Sequence, residues 1–283
     1  MATMSRRAPL LAILILLQLA SSASFFLQRK NSNAVVPCAA QPVANRQLTR
    51  TPYKVQRSKP VTTWLLYANA ATFVVLYRQG GLFRALAKDD RMLRRGSFQS
   101  YRMLSACFLH ANLPHLLVNS NSLNALGSSV EPWFGSRRTA YIYAAAGISG
   151  NYFSFRTGRS PLSVGASTSI FGLLGAWAVF LQTNRDFFAR GGVNVGSSLR
   201  SLMESCVLTA AIGMAPGSMI DNAGHLGGLV GGAAAAYAIG PRLKRTQYGF
   251  TVDEPIVRLP GGSDRKRIPS TSWKKALQPG PMA

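Results

Sequence analysis

The sequence predicts an all-α membrane protein of six transmembrane helices, and three observations carry that expectation. Only 14% of its 283 residues are charged while 47% are hydrophobic, against about 25% charged in an ordinary soluble domain. The deficit is uneven: from Val61 onward, apolar blocks alternate with short basic or Gly/Pro-rich breaks. Each block approaches the roughly 20 residues that cross the hydrocarbon of a bilayer as a helix.

The spans fall at 61–77, 112–131, 138–155, 163–183, 199–216 and 221–240, a helical domain over 61–240. Between the first two lies "RQGGLFRALAKDDRMLRRGSFQSYRMLSACF". It is too polar to span and suits an interfacial loop on the bilayer surface. Residues 1–24 read as a signal-like segment, with Arg6-Arg7 before "LLAILILLQLA" and the small residues "SSAS" behind it. Residues 25–60 are basic, and no acid occurs before Asp89. That is the composition of a transit peptide. The two-part leader resembles that of plastid proteins in algae with complex plastids, which implies a plastid membrane. A plain secretory signal or an uncleaved helix is the alternative, with a mitochondrial or secretory-pathway membrane as the address.

The tail, 241–283, is basic and rich in Pro and Gly, and is expected to be disordered. Lys and Arg concentrate on the side that holds both ends of the core, which makes that side the inner one. The net charge of +23 comes with no nucleic-acid motif, so it reads as topology and targeting rather than nucleic-acid binding. Cys38, Cys107 and Cys206 are odd in number and far apart, which gives neither a disulfide framework nor a zinc site.

Chemistry enters through polar residues inside apolar runs. Ser167, Thr168 and Ser169 interrupt "VGASTSIFGLLGAW". A serine in such a place commonly bonds back to the carbonyl four residues earlier. The chain has only three histidines, His110, His115 and His225, all in or at the mouth of the spans, where ionisable groups are costly and usually functional. His115 and Asn119 are four apart and share a helix face. Both can donate hydrogen bonds, to a reacting group or simply to a neighbouring helix. His225 lies in "DNAGHLGGLVGGAAAAYAIG", where Gly228 with Gly232, and Gly227 with Gly231, form GxxxG spacings that admit another helix closely. Gly165-Ala166-Ser167 offers a matching small-residue partner. A hydroxyl facing an imidazole is the minimum apparatus of nucleophilic catalysis, and donors such as His115 and Asn119 could stabilise an oxyanion.

Taken in order, "HANLPHLLVN", "GASTSIFG" and "AGHLGGLVGG" resemble the motifs of rhomboid intramembrane serine proteases, over about Tyr101 to Gly232. The resemblance implies a six-helix rhomboid-like bundle with Ser167 as nucleophile and His225 as general base. It implies that His115, Asn119 and the Ser167 amide form the oxyanion site. Tyr101, Arg102, His110, Glu131, Gly165, Phe171, Gly228 and Gly232 fall to structural roles, with Phe171 placed to stack on His225. The implied substrates are transmembrane or juxtamembrane segments of other proteins in the lipid bilayer. One departure stands out: Thr168 occupies a position where the family usually has glycine, and it could narrow the oxyanion pocket. No cofactor or metal is implied; three separated histidines without partner carboxylates make a poor zinc site.

Two other readings stay open: a catalytically silent rhomboid-like protein that routes membrane clients, and a small transporter. The second lacks the paired broken-helix halves of such folds. Asp221, four residues before His225, shares its face and could mimic a triad acid. It also opens the sixth span, where an N-cap carboxylate is favoured, and capping is the expectation.

Overall fold

The computed structural model describes residues 55, 58–76, 78–158, 160–216, 218, 220–245 and 251–260. Nearly all of the expected leader lies outside them, as does the tail beyond 260. The chain is mostly helical. Long helices run at α1 (Pro60–Leu76), then at α5 (Leu113–Phe134) and α6 (Ser136–Thr157). They continue at α7 (Ser167–Thr183), α9 (Val195–Gly213) and α10 (Asn222–Ile239). Short helices α2 (Gly80–Leu86), α3 (Asp90–Leu93) and α4 (Arg102–Ser105) lie between α1 and α5, and α8 (Arg185–Arg190) follows α7.

Local chemistry sets the boundaries. Asn112 opens α5 by accepting from the His115 amide at 2.8 Å, and Asn194 opens α9 by accepting from the Ser197 amide at 3.0 Å. Gly158 closes α6 in the left-handed conformation at φ 63°. The fourth expected span, 163–183, loses its first residues for a similar reason. Gly165 sits at φ +131°, incompatible with a helix, so α7 starts only at Ser167.

The expectation of a purely α chain needs a small correction. Two short antiparallel pairs are present: β1 (Lys88–Asp89) with β2 (Leu162–Ser163), and β3 (Leu243–Arg245) with β4 (Thr251–Asp253). The second pair also corrects the expectation of a wholly disordered tail. Residues 241–245 and 251–260 are ordered because helix ends supply partners that the local sequence lacks. Asn184 donates to the Pro241 carbonyl at 2.9 Å, Val257 N–H donates to Ala238 O at 2.8 Å, and Arg138 pairs with Asp253.

Side chains from α5, α6 and α7 fill the apolar centre, among them Leu123, Val130, Ile142, Tyr143, Leu173 and Phe180, all buried. α10 enters it almost without side chains. Its two GxxxG rows face different neighbours. A methyl at Gly228 or Gly232 would collide with the α7 backbone at Thr168 and Gly172, while one at Gly227 would lie 2.5 Å from Phe153 Cβ on α6. Among the described residues, no helix is long and apolar enough to cross a membrane. α1 and α7 have 17 residues each, and α6 carries polar residues along its length.

Glu131 ties the two ends of this arrangement together. It is fully buried on α5, and its carboxylate accepts from Val61 N, Thr62 N and Thr62 Oγ1 at 2.9, 2.8 and 2.7 Å, and from Ser136 Oγ at 2.8 Å. The resemblance implies a structural role for Glu131, and its bond to Ser136 Oγ does hold the turn after α5. The larger share of the bonds instead caps the N-terminus of α1, where the helix dipole favours a negative charge. Glu131→Gln would leave Thr62 facing an amide donor and remove a charged acceptor. It is expected to lower stability by about 2–4 kcal/mol in denaturation of the full chain.

Candidate active site

Ser167 is the first residue of α7, so no preceding helical turn offers its hydroxyl a carbonyl. Hydroxyls in mid-helix behave differently: Thr72 donates to Ala68 O at 2.8 Å and Thr209 to Ser205 O at 2.9 Å. The bond that hides most membrane serines is therefore not open to Ser167. Ala166 provides no side-chain cap, and the first amides of α7 point toward the turn that carries the serine, at the positive end of the helix.

The turn is shaped by Gly165. Its amide donates to Ala106 O at 3.0 Å. A methyl in place of its α-hydrogen would lie 2.8 Å from His115 Nε2 and 3.4 Å from Asn119 Nδ2. The His115 and Asn119 side chains thus meet the backbone two residues before Ser167. Asn119 is buried, and its Nδ2 has no hydrogen-bond partner among the described residues, an amide donor left without an acceptor. His110 packs edge-on against His115, with ring centroids 5.3 Å apart. Burial, with His115 beside it, pushes His110 down to about 4, so it is a neutral ring behind the site.

One turn beyond Ser167, Phe171 stacks on His225, with centroids 4.3 Å apart and planes within 11°. The close approaches at Gly224 and Gly228 bring the first turn of α7 against the first two turns of α10. Asp221 does not orient the imidazole. One of its oxygens accepts from Gly224 N at 2.8 Å and the other from Ser154 Oγ, while His225 Nδ1 is buried without a partner. Asp221 is the N-cap of α10.

Thr168 turns inward. Its Oγ1 lies 3.7 Å from Cys107 Sγ, and its Cβ and Cγ2 fill the space beside Gly150 and Gly224. Tyr101 and Arg102 lie away from this cluster and knit the α2–α4 segment. Tyr101 OH donates to Ala85 O at 2.9 Å, and Arg102 donates to Arg84 O and Ala87 O at 2.7 and 3.0 Å, satisfying carbonyls at the end of α2. Among the described residues, no group of His, Cys, Asp and Glu could hold a metal ion. Sequence reasoning passed over Lys88 and Ser154, both fully buried. Lys88 was hidden in a segment read as polar surface, and only its position beside two acids, in "KDD", hints at a paired charge.

Residues 97–242 match the Rhomboid domain family. The chain is similar to the "Rhomboid protease GluP" of Bacillus subtilis (strain 168), 36% identical over 192 residues, covering 65% of this chain and 36% of that protein. It is similar to "RHOMBOID-like protein 5" of Arabidopsis thaliana, 32% identical over 182 residues, covering 64% of this chain and 54% of that one. "RHOMBOID-like protein 2" of the same plant is 37% identical over 152 residues, covering 54% and 45%. The chain spans between 36% and 54% of the length of these relatives.

Gly165 gives a stability test. Gly165→Ala forces a side chain into a positive-φ position against His115 and is expected to cost about 1–3 kcal/mol. Gly81→Ala, at a helical site with nothing within 4 Å, is expected to be neutral or stabilising. Denaturant titration of both variants reads the contrast.

Proposed function

The chain belongs to the rhomboid family, and we propose that it is an intramembrane serine endopeptidase working with a Ser167–His225 dyad on transmembrane or juxtamembrane segments of other proteins. The observation that carries this reading is the gathering of three things around the first two turns of α7. Ser167 stands at an uncapped helix start, the His115 and Asn119 side chains lie against Gly165, and His225 is held flat on Phe171.

In this reading His225 takes the Ser167 proton as Oγ attacks the scissile carbonyl carbon. The carbonyl oxygen becomes an oxyanion, to which Asn119 Nδ2, His115 and the Ser167 amide donate. Collapse expels the amine, which receives the proton from His225 and leaves an acyl-enzyme. Water, deprotonated by the same imidazole, hydrolyses that ester and restores the serine. The unpartnered Asn119 amide suits such a role, because an oxyanion donor should be vacant until charge develops. Thr168, directed into the protein, leaves the oxyanion side of the turn clear.

The same reading places α1, α5, α6, α7, α9 and α10 across the membrane, with the α2–α4 segment at its surface. Seventeen residues of helix extend only about 26 Å, so α1 and α7 fall short of the roughly 30 Å of hydrocarbon. The bilayer must thin locally or flanking side chains must reach out. A silent rhomboid-like protein that binds membrane clients is the alternative, favoured by Thr168 where the family usually has glycine.

The deciding experiment reconstitutes the full chain in lipid vesicles with a single-span substrate. Ser167→Ala and His225→Ala are expected to remove cleavage and fluorophosphonate labelling while the helical content stays intact. A wild type that neither cleaves nor labels favours the silent alternative. In the same assay, His115→Ala and Asn119→Ala are each expected to lower kcat by about 100- to 1000-fold with little change in KM. Near-normal turnover in either variant would return that residue to helix packing.

A further inference from the structure

Lys88 is a fully buried cation at the hub of a polar chain that reaches both halves of the site. Its ammonium pairs with Asp90 at 2.8 Å, donates to Ser154 Oγ at 3.0 Å, and donates to the Ser160 carbonyl. An ammonium has three donors and no acceptor, so these partners saturate it. The Ser154 hydroxyl can only accept from Lys88, and its single proton is thereby directed to Asp221 Oδ2, the bond seen. Asp221 Oδ1 accepts from Gly224 N, and its carbonyl accepts from the His225 amide at 2.9 Å. From the ammonium to the backbone of His225 the chain has no gap.

The backbone of the same strand holds the other half. Lys88 pairs with Ser163 in the β1–β2 ladder, and Asp90 N–H donates to Pro161 O at 2.9 Å. Ser163 is four residues before Ser167. One two-residue strand therefore grips the approach to Ser167 by its main chain and the first turn of α10 by a side chain.

We infer that Lys88 and Ser154 are positioning residues for the dyad, fixing the first turn of α10 against the Ser167 turn; the inference rests on the protease reading above. Ser154 and Asp221 share no atom with a substrate in this arrangement. Their effect passes through where the α10 backbone places the His225 ring. A displacement of about 1 Å at a reacting group is enough to lower a rate by about 100-fold.

The test uses the full chain in vesicles with Ser154→Ala, Lys88→Met, the double variant, and Asp90→Asn/Lys88→Met, which removes both charges together. Ser154→Ala and Lys88→Met are expected to lower kcat by about 10- to 100-fold while KM stays within about twofold. Because both cut one chain, the double variant is expected to lose no more than the worse single one. Hydrogen exchange at the Gly224 and His225 amides is expected to quicken in Ser154→Ala, with the rest of α10 unchanged. Multiplying losses, or an effect on KM alone, would overturn the inference. If Lys88→Met fails to fold, Ser154→Ala and the charge-free pair carry the test. If the wild type cleaves nothing, the protease reading fails, and exchange alone decides: unaltered protection at Gly224 and His225 would sink the coupling as well.

Discussion

Backbone-to-backbone contact along α10 is the constraint on which the rest of the structure depends. With Gly228 and Gly232 against α7 and Gly227 against α6, the helix sits nearer its neighbours than any side chain permits. That closeness lets His225 lie against Phe171 near the start of α7.

The polar groups fall into two kinds. Glu131 and Lys88 are buried, Asp221 is half-buried, and all three have their hydrogen-bonding capacity met by named partners. Asn119 Nδ2 and His225 Nδ1 are buried and unmet. Buried groups without partners are destabilising, and they are not confined to the Ser167 region, since Asn222 Oδ1 and Arg242 Nη2 are buried and unmet as well. Saturated charges hold helices in place.

This division explains what was legible beforehand. Ser167, His115, Asn119 and His225 could be picked out because their chemistry is conspicuous in an apolar run, and the glycine rows because their spacing is regular. Lys88 escaped notice because its partners, Ser154 and Asp221, are distant in sequence and joined only by folding. Glu131 was recognised as structural, yet its main client, the start of α1, could not be read from a motif around residue 131. The non-helical start at 163–166 was missed because hydropathy reports burial and is blind to the φ of Gly165. The ordered piece of the tail was missed for a related reason: its partners are helix ends, and composition says nothing of them.

The carboxylate of Glu131 also bears on how the protein is made. The amides of Val61 and Thr62 that it receives are synthesised 70 and 69 residues earlier. At a ribosomal pace of roughly 5–20 residues per second, the interval is about 4–14 s. For that time α1 lacks the carboxylate that caps its leading amides in the folded chain. Its placement is provisional until the second long helix arrives to claim it, so the earliest-made of the described helices is among the later ones to be locked.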